Sequence, residues 1–176
     1  MRKVLFFFGF LMVMAVLFWI VTLFLPSRIT VLRSQDIHAS RSRVDSQIGD
    51  FDNWENWYPA FSDSNVRVQR YRRNDTSFAL LSRKGTSGPM LLSLFRSANG
   101  DIHVQLPGDN EDYLFVLRPG GPDDTQVTWF VNLDLGSYPW KKFAGIFFDK
   151  ANGSKYEAVL TSLKTYLENP PGRGRP

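Results

Sequence analysis

The chain has 176 residues, 21 basic and 17 acidic side chains, and no cysteine. The missing cysteine excludes disulfides, thiolate metal sites and a lipid-modified cysteine anchor. The formal net charge is +4, of which Arg2 and Lys3 supply half, and without a concentrated basic face nucleic-acid binding is not expected.

The first element is the most informative. From Val4 to Leu25 runs an uncharged, apolar stretch of 22 residues, long enough at about 1.5 Å per residue to cross a hydrocarbon core of roughly 30 Å. Arg2 and Lys3 precede it, Pro26-Ser27-Arg28 ends it, and Trp19 lies toward its end, where interfacial rings are common. A cleaved signal peptide has a shorter core and a small-x-small site, which Phe24-Leu25-Pro26-Ser27 does not offer. Residues 1–26 therefore read as an uncleaved single-pass membrane anchor. Its flanking charges compete, Arg2 and Lys3 against Arg28, Arg33, Arg41 and Arg43, and the remainder is expected on the extracytoplasmic side.

Residues 27–168 read as one domain. Ile29, Val31 and Ile37 give a first strand over 27–37. Ser40 then caps a short helix with Val44 and Ile48 on one face and Gly49 as its stop. Asp50 caps a second one, where Phe51, Trp54 and Trp57 or Tyr58 recur until Pro59 ends it; Trp54 and Trp57 are expected to close one end of the core. From Val66 to Leu135 short alternating runs are separated by turns at 73–75, 84–89, 99–101, 107–110 and 119–124, which gives about six strands of an antiparallel meander. Ile102, Val104 and Leu106 share one face of their strand, and Val127, Trp129, Val131 and Leu133 one face of theirs. The cover for that face is a long amphipathic helix with Tyr156, Val159, Leu160, Leu163, Tyr166 and Leu167 in its stripe. Phe143, Phe147 and Ala151 continue the stripe backwards, with a bend near Asn152-Gly153. Residues 169–176, rich in proline and glycine, read as a disordered tail.

This order, strand, two short helices, meander and long closing helix, resembles the helix-grip fold of the START-like superfamily. Ile37-His38-Ala39-Ser40 with Val44, the run Asp50 to Pro59, Thr125-Gln126-Val127-Thr128-Trp129, Asp134-Leu135-Gly136, and Lys142-Phe143-Ala144-Gly145 leading to Tyr156-Glu157 and Leu163-Lys164 look like the polyketide cyclase/dehydratase-like branch. The resemblance covers roughly 26–168. It implies an α+β fold in which a curved antiparallel sheet of about seven strands wraps the closing helix and encloses a cavity for an apolar molecule. Tyr113, Phe115, Trp129, Val131, Phe143, Phe147 and Tyr156 are the candidates for lining it, offering large rings with a few polar tips.

Catalytic chemistry has little support in the residues. The two histidines, His38 and His103, lack a positioned partner in a cavity, since His103 and Asp101 share the face expected to meet solvent. No nucleophile elbow, phosphate-cradling loop or His-Glu-x-x-His occurs. Asp109, Glu111, Asp112, Asp123 and Asp124 lack calcium-loop spacing and read as solvated turns. Neither a metal nor a cofactor is expected. Arg67, Arg70, Arg72 and Arg73 read as a solvated edge or a contact with anionic lipid. The leading reading is a tethered, non-catalytic domain that binds a hydrophobic small molecule or lipid. An enzyme of the cyclase or dehydratase type, with Tyr113 or Arg118 polarising a carbonyl, is the alternative, and a filled-core interaction domain without ligand is the third.

Overall fold

Seven runs with period-two alternation form a single antiparallel sheet in the computed structural model, which describes residues 2–85, 88–108 and 110–169. The strands are β1 (Arg28–Ile37), β2 (Val66–Arg73), β3 (Thr76–Arg83), β4 (Met90–Arg96), β5 (Ile102–Leu106), β6 (Glu111–Pro119) and β7 (Thr125–Asp134). Their order is β1-β7-β6-β5-β4-β3-β2. The chain makes a meander from β2 to β7 and brings β1 back against β7, with Val31 opposite Val131 and Arg33 opposite Trp129. Asn74, at φ 53°, takes the left-handed conformation that the tight turn between β2 and β3 requires, one that asparagine tolerates. Parts of two expected turns, Thr86-Ser87 and Asp109, and the tail 170–176 lie outside the described residues.

The helices are α1 (Arg2–Leu23), α2 (Arg41–Ile48), α3 (Pro59–Ser62), α4 (Pro139–Gly145) and α5 (Phe148–Glu168), with a 3₁₀ segment over Phe51–Asn56. α5 lays Tyr156, Val159, Leu160, Leu163 and Leu167 against the sheet's inner face. α2 contributes Val44 and Ile48, and the 3₁₀ segment Phe51 and Trp54, all buried. Trp54 and Trp57 close one end of this core, their indole N–H groups donating to the carbonyls of Ile48 and Gln47 at 2.8 and 3.1 Å. This is the helix-grip architecture.

Three local expectations need correction. Pro59 does not end a helix; it opens α3, as suits a residue that fixes φ and lacks an N–H that the first turn would leave unpaired. Gly49 does stop α2 as its C-cap, but at φ −79°, so a left-handed turn is not why glycine stands there. A side chain there would collide with Arg96, whose Nη2 lies 2.1 Å from the Cβ position while its guanidinium grips Asp45 at 2.7 and 2.9 Å. The closing helix breaks at Ile146–Phe147 rather than at Asn152-Gly153. Gly145 is drawn so close to Leu135 that a Cβ would stand 2.4 Å from its Cδ1, which pins the end of α4 and lets α5 start on a new axis. Gly153 stays helical and makes room for Arg33.

α1 is long and apolar enough to cross a membrane over Phe6–Leu23 and only 6% of that span is buried. Its last turns touch α4: the Phe18 and Phe143 rings are 5.8 Å apart, and Lys142 Nζ donates to the Thr22 carbonyl at 3.5 Å.

Candidate functional site

The site is built by three elements. On β6 and β7 the alternation sends Tyr113, Phe115, Trp129 and Val131 to the inner face, in register as the pairs Phe115–Trp129 and Tyr113–Val131. α5 brings Tyr156 down onto them. Trp129 is fully buried at the centre: Phe115 stacks on it at 5.1 Å, and Tyr113 and Tyr156 meet it edge to face at 5.2 Å each. These are favourable aromatic geometries. The Trp129 indole N–H is buried without a hydrogen-bond partner, which makes it a donor left open inside an otherwise apolar wall.

The polar tips converge at the Tyr113 end. Tyr113 donates to Glu111 Oε2 at 2.8 Å, and its hydroxyl is also a hydrogen-bonding neighbour of Tyr58. Burial pushes the Tyr58 phenol up to about 12, the nearby Glu111 carboxylate adding to the rise and the Tyr113 hydrogen bond opposing it. Burial is the main cause of an upward shift at Tyr113 and Tyr156 as well, with Glu111 and Tyr58 adding to both. All three phenols are thus neutral donors across the physiological range, as desolvation and a neighbouring negative charge dictate. The arrangement can hold an apolar body against rings and offer hydroxyl groups to one polar end of it.

Five of the seven candidate residues come together here. Phe143 and Phe147 do not; they are 45% and 56% exposed on and after α4, and Phe143 meets Phe18 of α1. Tyr58 and Glu111 were missed as site residues. Glu111 opens β6 instead of lying in a turn, and its two-residue spacing from Tyr113 was the available sign that the pair shares a face. Tyr58 is carried in by the turn before α3, which periodicity could not place. Arg118, by the same alternation, is exposed on the sheet's outer side. His103 stacks on Phe95 at 5.1 Å on that outer side, and His38 pairs with Asp124 at the surface. Among the described residues no group of three or more acidic or histidine side chains could hold a metal ion.

A separate depression of about 330 Å³ opens on the surface between the 3₁₀ segment and α5, lined by Asn56, Thr161, Ser162, Thr165, Tyr166 and Asn169. None of the seven candidates lines it.

Known structures share this architecture at low identity. A START superfamily protein from Mycobacterium smegmatis superposes with a TM-score of 0.56 at 21% identity, covering 79% of this chain and 97% of its own. A conserved protein of unknown function from Enterococcus faecalis gives 0.59 at 16% identity, over 85% of this chain and 76% of the other. The Zhui aromatase/cyclase from a Streptomyces species gives 0.54 at 10% identity, over 82% and 99%. These likenesses establish the fold. No curated protein matches the chain in sequence. The family model for polyketide cyclase / dehydrase and lipid transport matches residues 28–168, spanning the sheet, the aromatic wall and α5, and the chain belongs to that family.

Proposed function

We propose that the domain binds a hydrophobic small molecule or lipid between the sheet and α5 and does so tethered to a bilayer by α1. The observation that carries the binding reading is the buried wall around Trp129, with its unpartnered indole N–H and the Tyr58, Tyr113 and Tyr156 hydroxyls at one end. A buried donor without a partner costs about 1 to 3 kcal/mol, a penalty that a ligand acceptor would relieve. The tether reading rests on an exposed apolar helix of spanning length, and it gives such a ligand a short path from the lipid phase. Admitting a ligand requires α5 to move outward, since the rings now touch one another.

A second reading, a cyclase- or dehydratase-type enzyme, is favoured by one feature: the Glu111 carboxylate, which accepts a hydrogen bond from Tyr113 at 2.8 Å, is a base at the polar end of the wall, able to take a proton from a bound substrate. Arg118 has no part in it.

With Trp19→Phe and Trp140→Phe in place to silence the two exposed indoles, titrating the detergent-solubilised protein with native lipid extract tests the binding reading through tryptophan fluorescence. A saturable change that Trp129→Phe largely removes is expected. A response that survives Trp129→Phe, or none at all, counts against binding at this wall.

A further inference from the structure

We propose that α4 is a membrane-interface element, its apolar side chains seated among lipid headgroups and upper acyl chains beside the end of α1, so that the domain rests on the bilayer by this edge. The inference rests on the tether proposed above and adds to it a specific lipid-contacting surface.

Within ten residues, Tyr138, Trp140, Phe143, Ile146 and Phe147 are exposed at 55, 62, 45, 55 and 56%. Contiguous apolar surface of this kind is unusual on a soluble face and marks an interaction site. Three observations select lipid as the occupant. First, the patch is continuous with α1, through the Phe18–Phe143 ring contact and the Lys142–Thr22 hydrogen bond, and Thr22 is buried beneath it at 3% exposure. Second, the depth fits. The apolar window of α1 ends at Leu23, so contacts at Thr22 and one turn earlier at Phe18 place α4 where a spanning helix leaves the hydrocarbon. Third, the chemistry fits. Tyrosine and tryptophan favour the interfacial zone, and Lys141 and Lys142 stand among the rings to meet anionic headgroups. Lys141 Nζ lies 5.4 Å from the Tyr138 ring centroid.

The chain has no cysteine, so single cysteines can carry an environment-sensitive fluorophore in the full-length protein. Three positions suffice: Trp140→Cys on α4, Phe10→Cys within α1 and Gln69→Cys on β2, the sheet edge opposite β1. Each is reconstituted in phosphatidylcholine/phosphatidylglycerol vesicles and quenched by aqueous iodide or by nitroxide-labelled lipid. The proposal expects the Trp140→Cys label to be protected from iodide and quenched by nitroxide near the headgroups, the Phe10→Cys label to respond only to deep nitroxide, and the Gln69→Cys label only to iodide. Lys141→Glu with Lys142→Glu should restore iodide quenching at position 140. If position 140 is as open to iodide as position 69 while position 10 stays lipid-embedded, the α4 proposal falls and the tether stands. If position 10 is open to iodide, the tether falls and α4 with it. A label at 140 shielded from iodide yet unreached by any lipid quencher means that protein covers α4, which overturns the proposal.

Discussion

The guanidinium of Arg33 lies over the bare Cα of Gly153: a Cβ on that glycine would stand 2.0 Å from Arg33 Nη2. Arg33 points inward from β1, opposite Trp129, and reaches α5 on both sides of the glycine, with Nη2 at 2.6 Å from Asp149 and Nε at 2.8 Å from Glu157. A mid-helix glycine, unfavourable by intrinsic propensity, is thereby explained by the arginine it admits.

The two residues should be energetically coupled. Alanine is favoured over glycine inside a helix by about 1 kcal/mol, so in an Arg33→Ala background Gly153→Ala should stabilise by roughly that amount. In the native background the same change should bring little gain or a loss, because Arg33 must swing away from Asp149. A double-mutant cycle by denaturant unfolding measures the difference, and equal effects in the two backgrounds would show that the close approach is not felt.

Two neighbours on α5 should behave oppositely. Leu163 is fully buried, and Leu163→Ala should destabilise by about 2 to 4 kcal/mol as a core truncation. Lys164 is partly exposed and paired with Glu168 at 3.8 Å, so Lys164→Ala should change stability by less than about 0.5 kcal/mol. Comparable losses from both would mean that the helix face is misassigned.

Alkaline stability should report the phenol cluster. Tyr58 is raised from 10.0 to about 12 in the folded protein, so folding favours the protonated phenol. Its contribution is whole below about pH 10, where the unfolded chain also keeps the proton, and is lost as pH rises through about 12. Tyr113 and Tyr156 shift in the same direction. Unfolding free energy should therefore fall from pH 10 to 12, and Tyr58→Phe should make that fall shallower. An unchanged slope would remove Tyr58 from the buried set.

The outer face of the sheet should be silent in binding. His103→Ala removes a ring stacked on Phe95 on the side away from α5, and Arg118→Ala an exposed guanidinium. Both variants should keep the native tryptophan response to lipid extract. Loss of that response in either would place the ligand on the opposite face from Trp129.

The strands were readable because side chains alternate strictly, so Ile102, Val104 and Leu106, or Val127, Trp129 and Val131, declare their common face in one dimension. The stripe of α5 was readable for the same reason at helical spacing. What periodicity could not reveal were long-range approaches. Phe143 and Phe147 continue the α5 stripe in sequence, yet α4 ends at Gly145, packed closely on Leu135, and both rings are left exposed, Phe143 against Phe18 of α1. Gly49 and Gly153 each answer to an arginine far along the chain, Arg96 and Arg33, and the partnership of Tyr58 with Tyr113 and Glu111 depends on the turn before α3 meeting the start of β6.

Native mass spectrometry of the full-length protein, gently extracted from membranes and paired with analysis of the released molecules, tests the central claim most directly. The account predicts a one-to-one complex with an apolar molecule that is depleted by Trp129 and Tyr113 substitutions and restored by incubation with native lipid extract. The bare chain alone, both as extracted and after that incubation, would contradict it and leave a domain whose aromatic wall is only its core.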